Sequence, residues 1–165
     1  MKTLLSATVF AMLALPAVVP ADEDDTHGDD WRHRAPAEEK IERLVKVMPG
    51  TSNLMLQMGE RYRNLYWAAR LGQWEFAAYQ AEEMESLIRT LTVTRPGKRE
   101  TAEHFLEKAF PMIEEAAASR DWNRFQKGFL KLREACMECH ARNDHAFIVL
   151  PKNPKTASSP VLNLD

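Results

Sequence analysis

Residues 122–140 read WNRFQKGFLKLREACMECH, and the apolar positions of this segment recur in steps of three and four. This spacing is the period of one face of an α-helix, which completes a turn in about 3.6 residues. The positions on that face are Trp122, Phe125, Phe129, Leu132, Cys136 and Cys139. The segment therefore predicts a helix whose apolar face ends at a pair of cysteines.

The same period occurs three times upstream of this helix. A first stripe begins at Thr51 and ends near Gly72, and two more follow after short breaks. The three stripes consist of Met55, Met58, Tyr62, Leu65 and Ala69, then of Trp74, Ala77, Ala81, Met84, Ile88 and Leu91, and then of Leu106, Phe110, Ile113 and Ala117. Because helices with one apolar face must bury those faces against one another, residues 51–150 predict an all-α domain of four helices.

The second and fourth stripes form an internal repeat, since Trp74 and Trp122 match at an offset of 48 and the later positions superpose. The breaks at Gly72-Gln73 and at residues 119–121 are short, which favours antiparallel neighbours. The shallow crossing that suits these stripes gives an antiparallel up-down four-helix bundle made of two hairpins. Inside its third helix, Pro111 removes one backbone hydrogen bond and predicts a kink.

Residues 1–21 differ from the rest of the chain. They combine Lys2, a long apolar run and small residues up to Ala21, which is the layout of a signal peptide cleaved after Ala21. The apolar run is too short and too soon followed by charge to predict a membrane span, so the mature chain has none. We therefore expect an exported, periplasmic protein.

The remaining segments flank the bundle. Residues 22–36 begin DEDDTHGDD and predict an acidic, flexible leader, because they offer little to bury. Residues 37–50 predict a short helix over residues 37–47 followed by a connector at Pro49-Gly50. Residues 151–165 form a C-terminal tail. The whole chain has 22 basic and 24 acidic residues, and this mild acidity argues against nucleic acid as a partner.

The strongest chemical signal is the pentapeptide at residues 136–140, Cys-Met-Glu-Cys-His, which holds both cysteines of the chain. On a helix, Cys136 and Cys139 face the same side, and His140 lies one turn after Cys136. Two thiols can then form thioethers with a haem while the imidazole binds its iron, and this motif is typical of c-type haem attachment. We therefore expect one haem c, with His140 as proximal ligand, near the C-terminal end of the fourth helix.

Two other chemistries use a Cys-X-X-Cys pair. A structural zinc site needs four ligands, and the chain has no second cysteine pair to supply them. A thioredoxin-like dithiol occurs in a βαβ context, which these helical stripes do not predict. Haem attachment is therefore the interpretation that the sequence favours.

With this motif at the end of the last helix, the chain resembles cytochrome c prime and its low-spin four-helix relatives, which are exported monohaem cytochromes. The resemblance covers residues 51–145. It is closest at residues 55–74, which end in the turn Gly-Gln-Trp, and at residues 146–151, which read AFIVLP. It implies electron transfer with redox partner proteins, and it implies the homodimer that such relatives commonly form. Nothing elsewhere in the sequence offers a catalytic nucleophile, a pair of catalytic carboxylates or a phosphate loop, so we expect no enzymatic activity.

The sixth position on the iron distinguishes the possible functions. In an up-down bundle the start of the first helix lies beside the end of the fourth, so Met55 and Met58 should be near the haem. The resemblance implies a methionine ligand from this helix in low-spin members and an open position in cytochrome c prime itself. Met55 is the first choice and Met58 its rival, although methionines also fill cores. His104 is a third candidate, one position off its apolar stripe and so expected to be exposed.

Weaker predictions concern the surroundings of the haem. Lys131 and Arg133 lie within two turns of the cysteines and could pair with haem propionates, although such side chains on helices are usually only solvated. His145 is placed to reach the haem edge. The apolar residues 147–150 are expected to fold back over the end of the bundle.

Three functions remain open at this point. One-electron transfer is favoured, because His and Met ligands let iron change oxidation state with little rearrangement. The alternative is a five-coordinate, cytochrome c prime-like protein that binds small gases, NO or CO, on a distal face made by Leu54, Met55 and Met58. A third hypothesis is a helical interaction module whose haem is structural.

Overall fold

The computed structural model describes residues 30–155, and within them the chain is all-helical, with no β-strand. The α-helices are α1 (Trp31–Arg34), α2 (Ala37–Val47), α3 (Thr51–Arg70), α4 (Trp74–Thr94), α5 (Arg99–Ala118) and α6 (Trp122–Arg142), with a 3₁₀ turn at Pro96–Lys98 before α5. The predicted signal peptide, the first part of the acidic leader and the end of the C-terminal tail lie outside the described residues.

The 48-residue repeat extends to the boundaries of the four long helices. Helices α3 and α5 each have 20 residues, α4 and α6 each have 21, and each pair begins and ends 48 positions apart. Even the turns match, because Gly72 (φ 74°) and Arg120 (φ 52°) both adopt a left-handed conformation. Their amides donate to the equivalent carbonyls of Ala69 (3.1 Å) and Ala117 (3.2 Å). The predicted repeat is confirmed.

The apolar stripes converge on one core. Helix α3 packs against α4, α4 against α5 and α5 against α6. The ring of Tyr62 on α3 stacks on that of Phe129 on α6, with centroids 4.5 Å apart, and so joins the first long helix to the last. Full burial of one large apolar side chain contributes about 1.5–3 kcal/mol. The side chains with no exposed surface include Leu65, Ala77, Ala81, Met84, Ile113, Phe125, Phe129 and Leu132.

The proline in the third of these helices does not end it. Helix α5 runs from Arg99 to Ala118 with Pro111 inside it. Phe110 and Ile113 on either side of the proline are buried in the core. Apolar packing of the flanking residues thus holds a helix that lacks one backbone donor.

The N-terminal segment forms a separate compact unit, whose boundary with the rest of the chain falls between Val45 and Lys46. The short helix predicted over residues 37–47 is present as α2, and its residues Ile41 and Leu44 are exposed. The described part of the predicted leader contains the four-residue helix α1. The carboxylate of Asp30 caps it by accepting a hydrogen bond from the Arg32 amide (2.9 Å).

Between residues 30 and 155, no helix is both long enough and apolar enough to cross a membrane.

A close approach of α5 and α6 depends on Gly128. A Cβ added at this position would lie 2.6 Å from Ala116 Cβ. We expect Gly128→Ala to lower the free energy of unfolding by about 1–3 kcal/mol, as overpacked cores do, measured by urea denaturation.

The matched control for this variant is Gly97→Ala, because a Cβ at Gly97 meets nothing within 4 Å. This change should alter stability by no more than about 0.5 kcal/mol. Equal stability of the two variants would contradict the close approach of α5 and α6.

Candidate functional site

The last two turns of α6 carry the residues of the predicted haem-attachment motif. Cys136 is buried, and Cys139 and His140 are half-buried. Both cysteines are free thiols. Because positions three and four apart share a face of a helix, the two sulfurs and the imidazole project toward the same side of α6.

That side of α6 borders a cavity between the four long helices. The cavity has a volume of about 190 Å³ and is partly open to solvent. Its wall is mostly apolar and is made by Thr51, Met55, Met58, Gly59 and Tyr62 of α3, Met84, Ile88 and Leu91 of α4, Lys98, Thr101 and Phe105 around the start of α5, and Cys136, Cys139, His140, Asn143, His145, Ile148 and Leu150.

The repeat explains why the cavity lies at this end of the helices. Ile88 and Leu91 of α4 occupy the positions that Cys136 and Cys139 occupy in α6, and all four side chains line the cavity. Equivalent helix ends therefore face each other across it. The starts of α3 and α5 close the remaining sides.

A backbone contact fixes the orientation of the His140 ring. Nδ1 lies 3.2 Å from the carbonyl oxygen of Ile148. A carbonyl only accepts hydrogen bonds, so in a neutral ring this contact selects the tautomer that carries its proton on Nδ1 and its lone pair on Nε2. Histidines that bind metals are commonly oriented in this way, with the second ring nitrogen donating to a carbonyl.

The two thiols are held in their protonated form. Burial raises the pKa of Cys136 to about 12. Burial also raises the pKa of Cys139. Reactive dithiols instead have a depressed pKa, because the thiolate is the attacking species. The environment of this pair therefore does not favour a redox dithiol.

A polar corner of the cavity wall surrounds Lys98. Its Nζ donates to Asn143 Oδ1 (3.1 Å), and Asn143 Nδ2 donates to Thr101 Oγ1 (3.0 Å) and to the Cys139 carbonyl (2.8 Å). The network ties the start of α5 to the motif on α6 and places a cation on the wall. Sequence periodicity did not identify Lys98, because it lies in a connection between helices.

The structure places both candidate methionines on the cavity wall. Met58 is buried and Met55 is half-buried, one turn earlier on α3. Leu54, which we predicted on the same distal face, is buried in the core and does not line the cavity.

Three other predicted residues lie off the cavity wall. His104 is half-buried rather than exposed, and its Nε2 lies 3.5 Å from a carboxylate oxygen of Glu138. That carboxylate also accepts a hydrogen bond from Lys108, which lowers the pKa of Glu138. Lys131 is exposed, while Arg133 Nε donates to the Leu150 carbonyl (2.7 Å). Arg133 thus holds the backbone of the segment that follows α6.

The segment after α6 folds back only in part, and the side chain of Val149 is 63% exposed. Ile148 and Leu150 line the cavity, and His145 lies at its rim. Phe147 does not join them, because its side chain is 78% exposed. Beyond residue 150 the chain is still held, since the hydroxyl of Tyr62 donates to the Pro151 carbonyl (2.7 Å).

Among the described residues, no group of three or more His, Cys, Asp or Glu side chains is arranged to hold a metal ion. His140 is the one histidine of the pentapeptide, and the cavity wall around it is mostly apolar. No protein-family model, curated protein or solved structure matches this chain.

Proposed function

We propose that this chain is an exported monohaem c-type cytochrome that carries haem c on Cys136 and Cys139 and acts in one-electron transfer. The observation that carries the proposal is the position of both thiols and the His140 imidazole on the wall of one apolar cavity. Helices α3 to α6 would form the antiparallel up-down four-helix bundle around it.

The residues of the wall fit each part of this cofactor. Thioether formation needs two thiols on one face, because each S–H adds across one vinyl group without any oxidant. His140 Nε2 is free to bind iron, since Nδ1 is directed at the Ile148 carbonyl. Lys98 would supply a cation for a carboxylate of the porphyrin, and the apolar side chains of the wall would pack against its faces.

Bound haem supplies an iron that gains and loses one electron. The chain sets the reduction potential of this iron through the ligand atoms and the apolar character of the cavity wall. Met55, or Met58 in its place, would offer a thioether as a second protein ligand of the iron, and methionine ligation raises the reduction potential. Side chains already packed on the wall need little rearrangement between the two oxidation states, which suits exchange with redox partner proteins.

Export is the second part of the proposal. It is supported by the composition of residues 1–21, which is that of a signal peptide. The haem-attachment motif agrees with it, because this motif and a signal peptide both indicate a periplasmic protein.

A gas-binding function is the alternative, with five-coordinate iron and NO or CO as the ligand. One observation favours it: Met55 is only half-buried and the cavity is partly open to solvent, so a small molecule has a path to the side facing α3.

The spectrum of the purified mature protein in both oxidation states tests the proposal. We expect a coloured protein whose oxidised iron is low-spin and whose reduced form does not bind carbon monoxide. A high-spin oxidised spectrum with carbon monoxide binding would replace electron transfer by the alternative. A colourless protein with free or disulfide-bonded sulfurs would refute both.

A further inference from the structure

The segment that follows α6 lies over the cavity and contacts the predicted iron ligand. We define the strap as residues 146–155, the last described part of the chain. Two of its side chains, Ile148 and Leu150, line the cavity. The carbonyl of Ile148 lies 3.2 Å from His140 Nδ1. The strap thus touches both the cavity and the ring that faces it.

Three side chains of the helices hold the strap by its polar groups. Arg133 Nε donates to the Leu150 carbonyl (2.7 Å) and the Tyr62 hydroxyl donates to the Pro151 carbonyl (2.7 Å). One turn further along α3, the Tyr66 hydroxyl donates to Asn153 Oδ1 (3.3 Å). Pro154 is buried beyond them. Partners from α3 and α6 thus hold the strap just after the carbonyl that meets His140.

We infer that Tyr62 and Arg133 are positioning residues that act through the strap to set the donor strength of the His140 imidazole. They hold the Leu150 and Pro151 carbonyls, two and three positions after Ile148, and so fix the Ile148 carbonyl where it accepts the Nδ1 proton. This hydrogen bond makes the imidazole a stronger donor, and stronger donation stabilises oxidised iron. Loosening the strap therefore raises the reduction potential. The effect on the reduction potential rests on the proposed function, whereas the hold of Tyr62 and Arg133 on the strap does not.

The sharpest variant is Tyr62→Phe, which removes one hydroxyl and leaves charge and ring packing unchanged. Its matched control is Tyr79→Phe, because Tyr79 lies exposed on α4 and contacts Arg61 rather than the strap. Arg133→Gln tests the second contact, and Arg133→Lys restores a charged donor. Arg133→Gln also removes a positive charge, which by itself lowers the reduction potential. The direction of the change in potential is therefore read from Tyr62→Phe, which alters no charge.

The first measurement does not depend on haem. Trypsin cuts after Lys152, which lies inside the strap, and mass spectrometry of the full chain follows that single cleavage. A site of this kind is cut through local opening, so the rate reports the opening equilibrium. We expect Tyr62→Phe and Arg133→Gln to be cut about fivefold faster, the factor that corresponds to one hydrogen bond of ~1 kcal/mol. Tyr79→Phe should match the wild type, and Arg133→Lys should be cut at an intermediate rate.

The second measurement is the midpoint potential of the haem-loaded protein, followed optically. We expect it to rise in Tyr62→Phe and to stay unchanged in Tyr79→Phe. Faster cleavage with an unchanged potential would overturn the inference, because the strap would then be a purely structural element. An unchanged cleavage rate would also overturn it, because Tyr62 and Arg133 would then not be holding the strap. A colourless protein would defeat the proposed function while leaving the cleavage result intact.

Discussion

A chain in which Cys136 and Cys139 are both replaced by alanine is expected to leave an exporting bacterial host without covalently bound haem, whereas the wild type carries one per chain. The reason is chemical, because no other residue of the chain has a thiol that can add to a vinyl group. Each single variant should retain one thioether. The measurement is the haem-specific stain of a denaturing gel together with the mass of the intact chain.

The repeat supplies a matched control for this experiment. Ile88 of α4 occupies the position of Cys136 in α6 and lines the same cavity. Ile88→Val should cost about 0.5–1.5 kcal/mol of stability and leave haem attachment unchanged. If the double cysteine variant still gains the mass of one haem, attachment through this pair is wrong.

Met55→Leu is expected to convert the oxidised iron from low-spin to high-spin and to let the reduced protein bind carbon monoxide. Leucine keeps the volume and the apolar character of the side chain, so packing changes little, but it removes the sulfur lone pair. The midpoint potential should fall by on the order of 0.1 V, a fraction of the ~0.8 V that axial ligands span. Electronic spectra and a redox titration measure both changes.

Two other methionines of the cavity wall serve as controls. Met58→Leu should leave the spectrum low-spin if Met55 is the ligand, and the opposite result assigns Met58. Met84→Leu, on the buried face of α4, should leave the spectrum unchanged in either case. If all three variants remain low-spin, none of these methionines is the ligand.

The helices were predictable because their buried positions recur in the sequence at the spacing of a helical turn. The stripe from Trp122 to Cys139 and its counterpart from Trp74 to Leu91 both belong to 21-residue helices, whose boundaries the 48-residue offset reproduces. The turns followed from Gly72 and from the Ser-Arg-Asp segment at residues 119–121. Local period and turn chemistry are enough where each residue's environment depends on neighbours three or four positions away.

The polar surroundings of the cavity could not be predicted in this way. Tyr62 and its partner Pro151 are 89 positions apart, and Lys98 and Asn143 are 45 apart. No periodic pattern links such pairs. Arg133 is an example. Its position on α6 was predicted, but its hydrogen bond to the Leu150 carbonyl was not, because the chain brings Leu150 near only by turning back after α6. His140 was identified because its motif is contiguous.

The matching hairpins have a final consequence for any flat ligand held between them. Two nearly equivalent helix ends, one with Ile88 and Leu91 and the other with Cys136 and Cys139, face the same space. A pocket with such pseudo-twofold symmetry offers a planar guest two orientations of similar shape. Because only one half carries sulfur, covalent attachment as we propose it would select one of the two orientations, which the shape of the walls alone would not do.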